Sequence, residues 1–285
     1  MRISELNHYP LKSGRGIALT EAEITATGIP GDRVMMVTGP DGHFFTQRDL
    51  QALAQVKASP VDAAGATRLA IDGKGEIDIT FNDPARRLDV VVWKSNVSAA
   101  MADDAVNTTL STWLERDVRL VFFDAQARRT ASPEWAGDDS PVTFADGYQV
   151  LVTTTGSLAA LNANMVANGE EPVGMERFRP NIVIDHDEAW AEDNWAAIEI
   201  GGIRFDLVKP CARCIMTTQD QQTGSRDVPS PMKAMGRIRM SGDRRVPGPL
   251  FGWNAVPRST GKLSLGDTVK IIEERSEGWA IKRRA

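Results

Sequence analysis

The stretch GEIDITF, residues 75–81, alternates polar and apolar residues at period two through Ile77, Ile79 and Phe81, the pattern of a half-buried strand. That rhythm dominates the first hundred residues and limits what they can fold into. Ile3-Ser4-Glu5-Leu6 opens one strand. IPGDRVMMVTGPDGHFFTQ reads as two more, Val34 to Val37 and His43 to Thr46, joined by the turn Gly39-Pro40-Asp41-Gly42,. RLDVVVW follows Pro84. Short strands broken by frequent turns predict a small barrel or sandwich.

The rhythm changes near residue 103. DDAVNTTLSTWLERD places Val106, Leu110, Trp113 and Leu114 on one helical face, with acids in the first turn,. A strand, Val118 to Phe123, comes next, and AQARRTASPEWAGDDSP reads as a loop or inter-domain linker,. GYQVLVTT predicts a strand, and TGSLAALNANMVANG a helix burying Leu158, Leu161 and Met165 and stopping at Gly169,. RPNIVID, AAIEIGG and IRFDLVKP read as strands, Gln219 to Pro249 as irregular, and LFGWNAVP with KLSLGDTVKII as a closing pair. The fold class is therefore mixed α/β, rich in β and carrying a few helices.

A chain of 285 residues with net charge −5 is long enough for one large or two modest domains. The negative charge argues against nucleic acid and anionic membrane surfaces as partners. No apolar run approaches a membrane span, and the start, MRISELNHYPLK, lacks the apolar stretch of a secretory signal,. Two cysteines make no disulfide framework,, so a reducing cytoplasm is expected.

Both cysteines fall in KPCARCIMTTQD, residues 209–220. They could be two small buried hydrophobes. A structural zinc site needs four ligands, and the three histidines, His8, His43 and His186, are scattered. A thioredoxin-like dithiol needs the motif to open a helix after an early strand, whereas here it is late and followed by β-branched residues. In a fourth reading, one thiolate binds a soft metal held mainly by an organic cofactor, with arginines and backbone N–H groups cradling the cofactor's anionic part. In extended chain Arg213 and Cys214 point to opposite sides unless the backbone turns.

YPLKSGRG with GDRVMMV, RFRPNIVID followed by KPCARCIMTTQDQQTG, and LFGWNAVP with GKLSLGDTV occur in that order. In these segments the chain resembles the MOSC family, in the subgroup with an N-terminal β-barrel module that includes amidoxime-reducing proteins. The resemblance implies an N-terminal MOSC β-barrel module over residues 1–125, packed on a MOSC β-barrel domain over 126–275. It implies molybdopterin as cofactor, with Cys214 as metal ligand and catalytic residue. Lys12, Ser13 and Arg33 of the first module, and Thr155, Gly156, Ser157, Arg179, Asn181 and Arg213 of the second, carry over as cofactor contacts. Each of these types also has a purely structural use. Lys12 and Arg33 suit solvated turns, Arg179 a strand-end ion pair, Asn181 a local hydrogen bond, and Ser157 a helix cap.

The activity the resemblance implies is two-electron reduction of small N-hydroxylated compounds, amidoximes and hydroxylamines, by oxygen-atom transfer at molybdenum. With no cysteine after Cys214, the electrons are expected from a separate ferredoxin- or flavin-type donor. Two rival readings are a non-catalytic molybdopterin or persulfide carrier and a dithiol redox protein using Cys211 and Cys214. Trp93, Trp113, Trp190 and Trp195 read as packing residues, and the charges of HDEAWAEDNW as a solvated acidic loop. Arg237, Arg239, Arg244 and Arg245 read as a solvated face or as a docking surface for an acidic partner.

Overall fold

The computed structural model describes residues 1–62, 64–81 and 83–282. Its largest sheet has eight strands in the order Val269–Glu274, Trp195–Ile200, Ile203–Ala212, Leu250–Pro257, Val150–Thr154, Ile182–Asp185, Arg2–His8 and Ile17–Leu19. All neighbours run antiparallel except Val150–Thr154 and Ile182–Asp185. A parallel pair needs a crossover, and the helix Thr155–Ala167 supplies it. The sheet curls back on itself: Ile3 N–H donates to the Asp267 carbonyl at 3.0 Å, Gly266 N–H to Ile3 at 2.9 Å and Val269 N–H to Met1 at 3.1 Å. Ile3, Leu6, Ile182, Ile184, Trp195, Ile198, Phe205 and Trp253 fill its interior.

A second body of chain is built on the sheet Met35–Thr38, Arg119–Phe122, Ser95–Met101, Arg87–Val92 and on the three strands Lys57–Ala58, Ala66–Ile71, Gly75–Thr80. The helix Asp104–Leu114 closes it. Asp103 caps that helix, accepting from Val106 N–H at 2.8 Å,, and Val106, Leu110, Trp113 and Leu114 bury against Leu69, Ile79 and Leu120. These are the residues whose spacing predicts the helix.

The first 24 residues do not stay with this second body. Arg2–His8 pairs with Ile182–Asp185, and Glu21–Ile24 pairs with Gly261–Ser264. The loop between, Tyr9–Gly16, therefore bridges the two sheets, with Lys12 N–H donating to the Met35 carbonyl at 2.8 Å. Two sequence motifs far apart in the chain thus meet at one seam.

Several expectations change. His43–Thr46 is not a strand; only isolated bridges, His43 to Val91 and Thr38 to Phe44, form there. Gly42 takes φ 78° beside the Asp89 carbonyl, and this tight turn diverts the chain. The stretch 219–249 contains a helix, Met232–Ile238, whose Ala234 and Met235 pack on Leu161, Met165, Phe178 and Phe251. The 125–141 loop holds one helical turn, Pro133–Ala136. Trp113 and Trp195 are buried, but Trp93 is 43 % exposed, set on a hairpin turn at φ 56°. No described helix is long and apolar enough to cross a membrane.

The acidic segment is also not a solvated loop throughout. Glu192 and Asp193 are buried. Asp193 takes both arms of Arg239, at 2.8 and 2.9 Å, and the Trp253 indole N–H at 2.9 Å. Arg239 is therefore internal, while Arg237 pairs with Glu170 and the exposed Arg245 with Asp243. Breaking a buried pair leaves an unpaired charge inside, whereas an exposed pair contributes little. Arg239→Ala is expected to cost about 3–5 kcal/mol in urea unfolding, and Arg245→Ala under ~1 kcal/mol; equal effects would contradict this placement.

Candidate functional site

At the seam lies a cleft lined by Lys12, Ser13, Arg33, Asp146, Arg177, Arg179, Asn181, Cys211, Arg213 and Cys214, among others. Its cavity volume of about 120 Å³ is roughly ten times what a single water needs. Five cationic side chains face one carboxylate in this lining. An array so unbalanced, in a confined space, concentrates positive potential.

Lys12 and Ser13 come from the bridging loop, and Ser13 has φ 65°. The buried Lys12 ammonium donates to the Phe144 carbonyl at 2.9 Å and to Asp146. Burial pulls the Lys12 pKa down, against the pull of Asp146. Asp146 lines the cleft with its side chain 74 % exposed. Burial would raise its pKa, but the charge and hydrogen bond of Lys12 outweigh that, aided by Arg33 and Arg48, and hold it well below the carboxylate range.

Arg33 and Arg179 stack against one ring. Their guanidinium carbons sit 4.2 and 4.3 Å from the centroid of Tyr9, a cation–π arrangement. Arg33 donates to Asp32, to Asn181 Oδ1 at 3.0 Å and to the Arg179 carbonyl at 3.2 Å. Arg179 donates to the Gly14 carbonyl at 2.7 Å and to Gln221 Oε1 at 3.1 Å. Burial, reinforced by Arg33, brings the Arg179 pKa down to about 10. Arg33 and Arg179 both adopt left-handed backbone, at φ 49° and 54°, an uncommon state for a non-glycine residue. Asn181 acts through Arg33: its Oδ1 also accepts from Leu151 N–H at 3.2 Å, and its amide nitrogen donates to the Asn7 carbonyl at 3.2 Å.

The strand Ile203–Ala212 delivers the cysteines. Arg213 N–H still bonds the Pro249 carbonyl at 2.8 Å, after which the chain turns into the 3-10 helix Ile215–Thr218. Arg213 and Cys214 both line the cleft. Arg213 donates to Cys211 Sγ at 2.9 Å and to the Phe178 carbonyl at 2.7 Å. Its buried Nε has no partner among the described residues. Both cysteines are free thiols, Cys211 half-buried and Cys214 exposed.

Sequence reasoning missed Tyr9, Arg177, Asp146 and the Gln47–Gln221 amide pair. Gln47 donates to the Ser13 carbonyl and to Gln221 Oε1, both at 2.9 Å, fixing the acceptor that Arg179 uses. Tyr9 had a signal, since it stands inside YPLKSGRG and is one of only two tyrosines. Arg177 likewise stands inside RFRPNIVID, whereas Asp146 had no signal, because its partner Lys12 lies far off in the chain.

Two β bodies meeting at a cationic cleft, with a thiol at its rim, define a two-module MOSC protein. The MOSC N-terminal beta barrel domain family matches residues 1–117 and the MOSC domain family residues 139–270. The chain belongs to the MOSC family, in the form that carries the N-terminal barrel. It is similar to mitochondrial amidoxime reducing component 2 of Bos taurus, 30 % identical over 94 % of this chain and 82 % of that protein. Similarity of 28 % extends to mitochondrial amidoxime-reducing component 1 of Danio rerio, over 95 % of this chain and 84 % of that protein. The human component 1 is also 28 % identical, over 95 % and 82 %.

Thr155, Gly156 and Ser157 do not line the cleft. Gly156 N–H bonds the His186 carbonyl at 2.8 Å and Ser157 N–H bonds Thr154 Oγ1 at 3.2 Å, so these donors are taken by the protein. The Ser157 hydroxyl donates to the buried carboxylate of Glu192 at 2.8 Å, and Thr154 does so at 3.0 Å. Burial pushes the Glu192 pKa up, against these hydrogen bonds. The folded state therefore holds the Glu192 proton more tightly than the unfolded chain, and this contribution to stability is lost as pH rises above the ordinary carboxylate value of about 4.3. Glu192→Gln is expected to gain stability relative to the native protein as pH rises above the ordinary carboxylate value of about 4.3, by up to ~1.4 kcal/mol per pH unit. A pH-independent difference in denaturant unfolding would refute the raised pKa.

Proposed function

We propose that this protein is a molybdenum-cofactor-dependent oxidoreductase that reduces N-hydroxylated compounds, with molybdopterin in the seam cleft and Cys214 as its metal ligand. The observation that carries this reading is how the cleft's guanidinium groups are satisfied. Arg179 and Arg213 donate to carbonyls, an amide oxygen and a sulfur, not to carboxylates. Their positions are fixed while their charge stays available, and a buried Nε is left over on Arg213. That donor set fits an anionic pterin with a phosphate tail, and the exposed Cys214 sulfur fits a soft metal. The amidoxime-reducing names of the curated relatives support the same reaction class.

Lys12, Ser13, Arg33, Arg179 and Arg213 would hold the cofactor. Arginine presents a planar fork to phosphate oxygens, and lysine a point charge. When bound, the cofactor would supply the two electrons that reduce the substrate and would take up its oxygen atom. The chain's own part is positional. Asp146 keeps Lys12 charged at its buried site, Tyr9 stacks on Arg33 and Arg179, Asn181 anchors Arg33, and Cys214 offers a thiol at the open rim. The net conversion consumes two electrons and two protons and releases an amine or amidine and water. The electrons come from a separate ferredoxin- or flavin-type donor.

Protein purified from a host able to synthesise molybdopterin is expected to contain molybdenum and pterin, and to reduce a hydroxylamine with an artificial one-electron donor. Cys214→Ser should reduce turnover by more than the roughly 10–100-fold that losing an outer partner costs, while Arg179→Met should lower pterin content. Native protein free of molybdenum would overturn the proposal. Cofactor content without turnover would assign the chain to the carrier class.

A further inference from the structure

The role of Cys211 is open, because the metal reading uses only Cys214. Cys211 and Arg213 are two residues apart on nearly extended backbone, which places their side chains on one face. Ala212 is paired with Leu250 in the sheet, Arg213 N–H bonds the Pro249 carbonyl, and Cys214 is extended at φ −115° and ψ −177°. In this conformation both thiols are free rather than paired with each other. Instead Cys211 Sγ accepts from Arg213 Nη1 at 2.9 Å while Phe178 accepts from Nη2 at 2.7 Å.

Other arginines fall into two groups: Arg129, Arg177 and Arg275 are held by backbone carbonyls, and Arg87, Arg237, Arg239 and Arg258 are held by carboxylates. A carboxylate fixes a guanidinium but cancels its charge. Arg213 has no carboxylate partner among the described residues. A sulfur acceptor orients the group and leaves its charge for the cleft.

We infer that Cys211 is a positioning residue: its sulfur anchors the Arg213 guanidinium beside Cys214, so that the first cysteine of the motif holds the arginine and the second faces the ligand. The part played by Arg213 toward the cofactor rests on the function proposed above. The anchoring itself does not, and it can be measured on cofactor-free protein.

The test compares Cys211→Ala, which removes the acceptor, with Cys211→Ser, which keeps one. Nitrogen-15 NMR of the arginine side chains in native protein should show hindered rotation of the Arg213 Nη groups. Cys211→Ser should keep it and Cys211→Ala should lose it. Inorganic phosphate, titrated into cofactor-free protein, should bind about 3–10-fold more weakly to Cys211→Ala, the scale of one lost hydrogen bond, and near the native level to Cys211→Ser. Native behaviour of Cys211→Ala in both measurements would overturn the inference. So would a Cys211→Ser protein as defective as Cys211→Ala, or a rapid loss of two hydrogens by mass spectrometry when native protein meets a mild thiol oxidant. A molybdenum-free native protein would sink the cofactor reading and leave the NMR result standing.

Discussion

Two positively charged guanidinium groups share one tyrosine ring, and the site is arranged around that contact. Arg33 arrives from the loop after Ile29 and Arg179 from the segment before Ile182, and Tyr9 stands between the sheets that carry them. Its ring lies 4.2 and 4.3 Å from the two groups. Its backbone N–H is held by Asp32 at 2.8 Å, and its hydroxyl donates to the Pro180 carbonyl at 3.2 Å. Burial pushes the Tyr9 pKa up to about 12, so the phenol stays neutral beside the two cations. Holding like charges this close is unfavourable unless something opposes them. Asp32 pairs with Arg33 and Asp146 with Lys12, while Arg179 and Arg213 meet only carbonyl, amide and sulfur acceptors, which leaves their charge for a ligand.

Backbone strain points to the same place. Ser13, Arg33 and Arg179 are three of the seven described non-glycine residues with positive φ, and all three line the cleft. Each such residue costs about 1 kcal/mol or more. At Arg179 the strain has a visible return in geometry. The left-handed turn aims the Arg179 carbonyl at Arg33 and the Phe178 carbonyl at Arg213, so the short run Phe178 to Asn181 holds the arginines of two other segments.

Much of the fold was legible because local pattern and global structure agree. Val106, Leu110, Trp113 and Leu114 bury as their spacing requires, and the alternation of Ile77 and Ile79 gives a real strand, Gly75–Thr80. The strand expected at His43–Thr46 failed because a glycine turn against Asp89 overrides its apolar content. The acids of HDEAWAEDNW looked solvated because their partners, Ser157, Arg239 and Trp253, are distant in sequence. In the site, residues inside the quoted motifs could be nominated, and Lys12, Ser13, Arg33, Arg179, Asn181, Arg213 and Cys214 do converge on one cleft. Ser157 shows the opposite limit. A serine at a helix start looks the same whether it faces a ligand or a buried glutamate, and only tertiary structure separates the two.

The account depends on the Cys214 sulfur meeting a metal in this cleft. Molybdenum K-edge X-ray absorption on fully loaded native protein, compared with cofactor-bearing Cys214→Ser, tests it most directly. The account predicts that the variant's spectrum lacks one sulfur scatterer present in the native protein. Identical sulfur coordination in the two samples would contradict it.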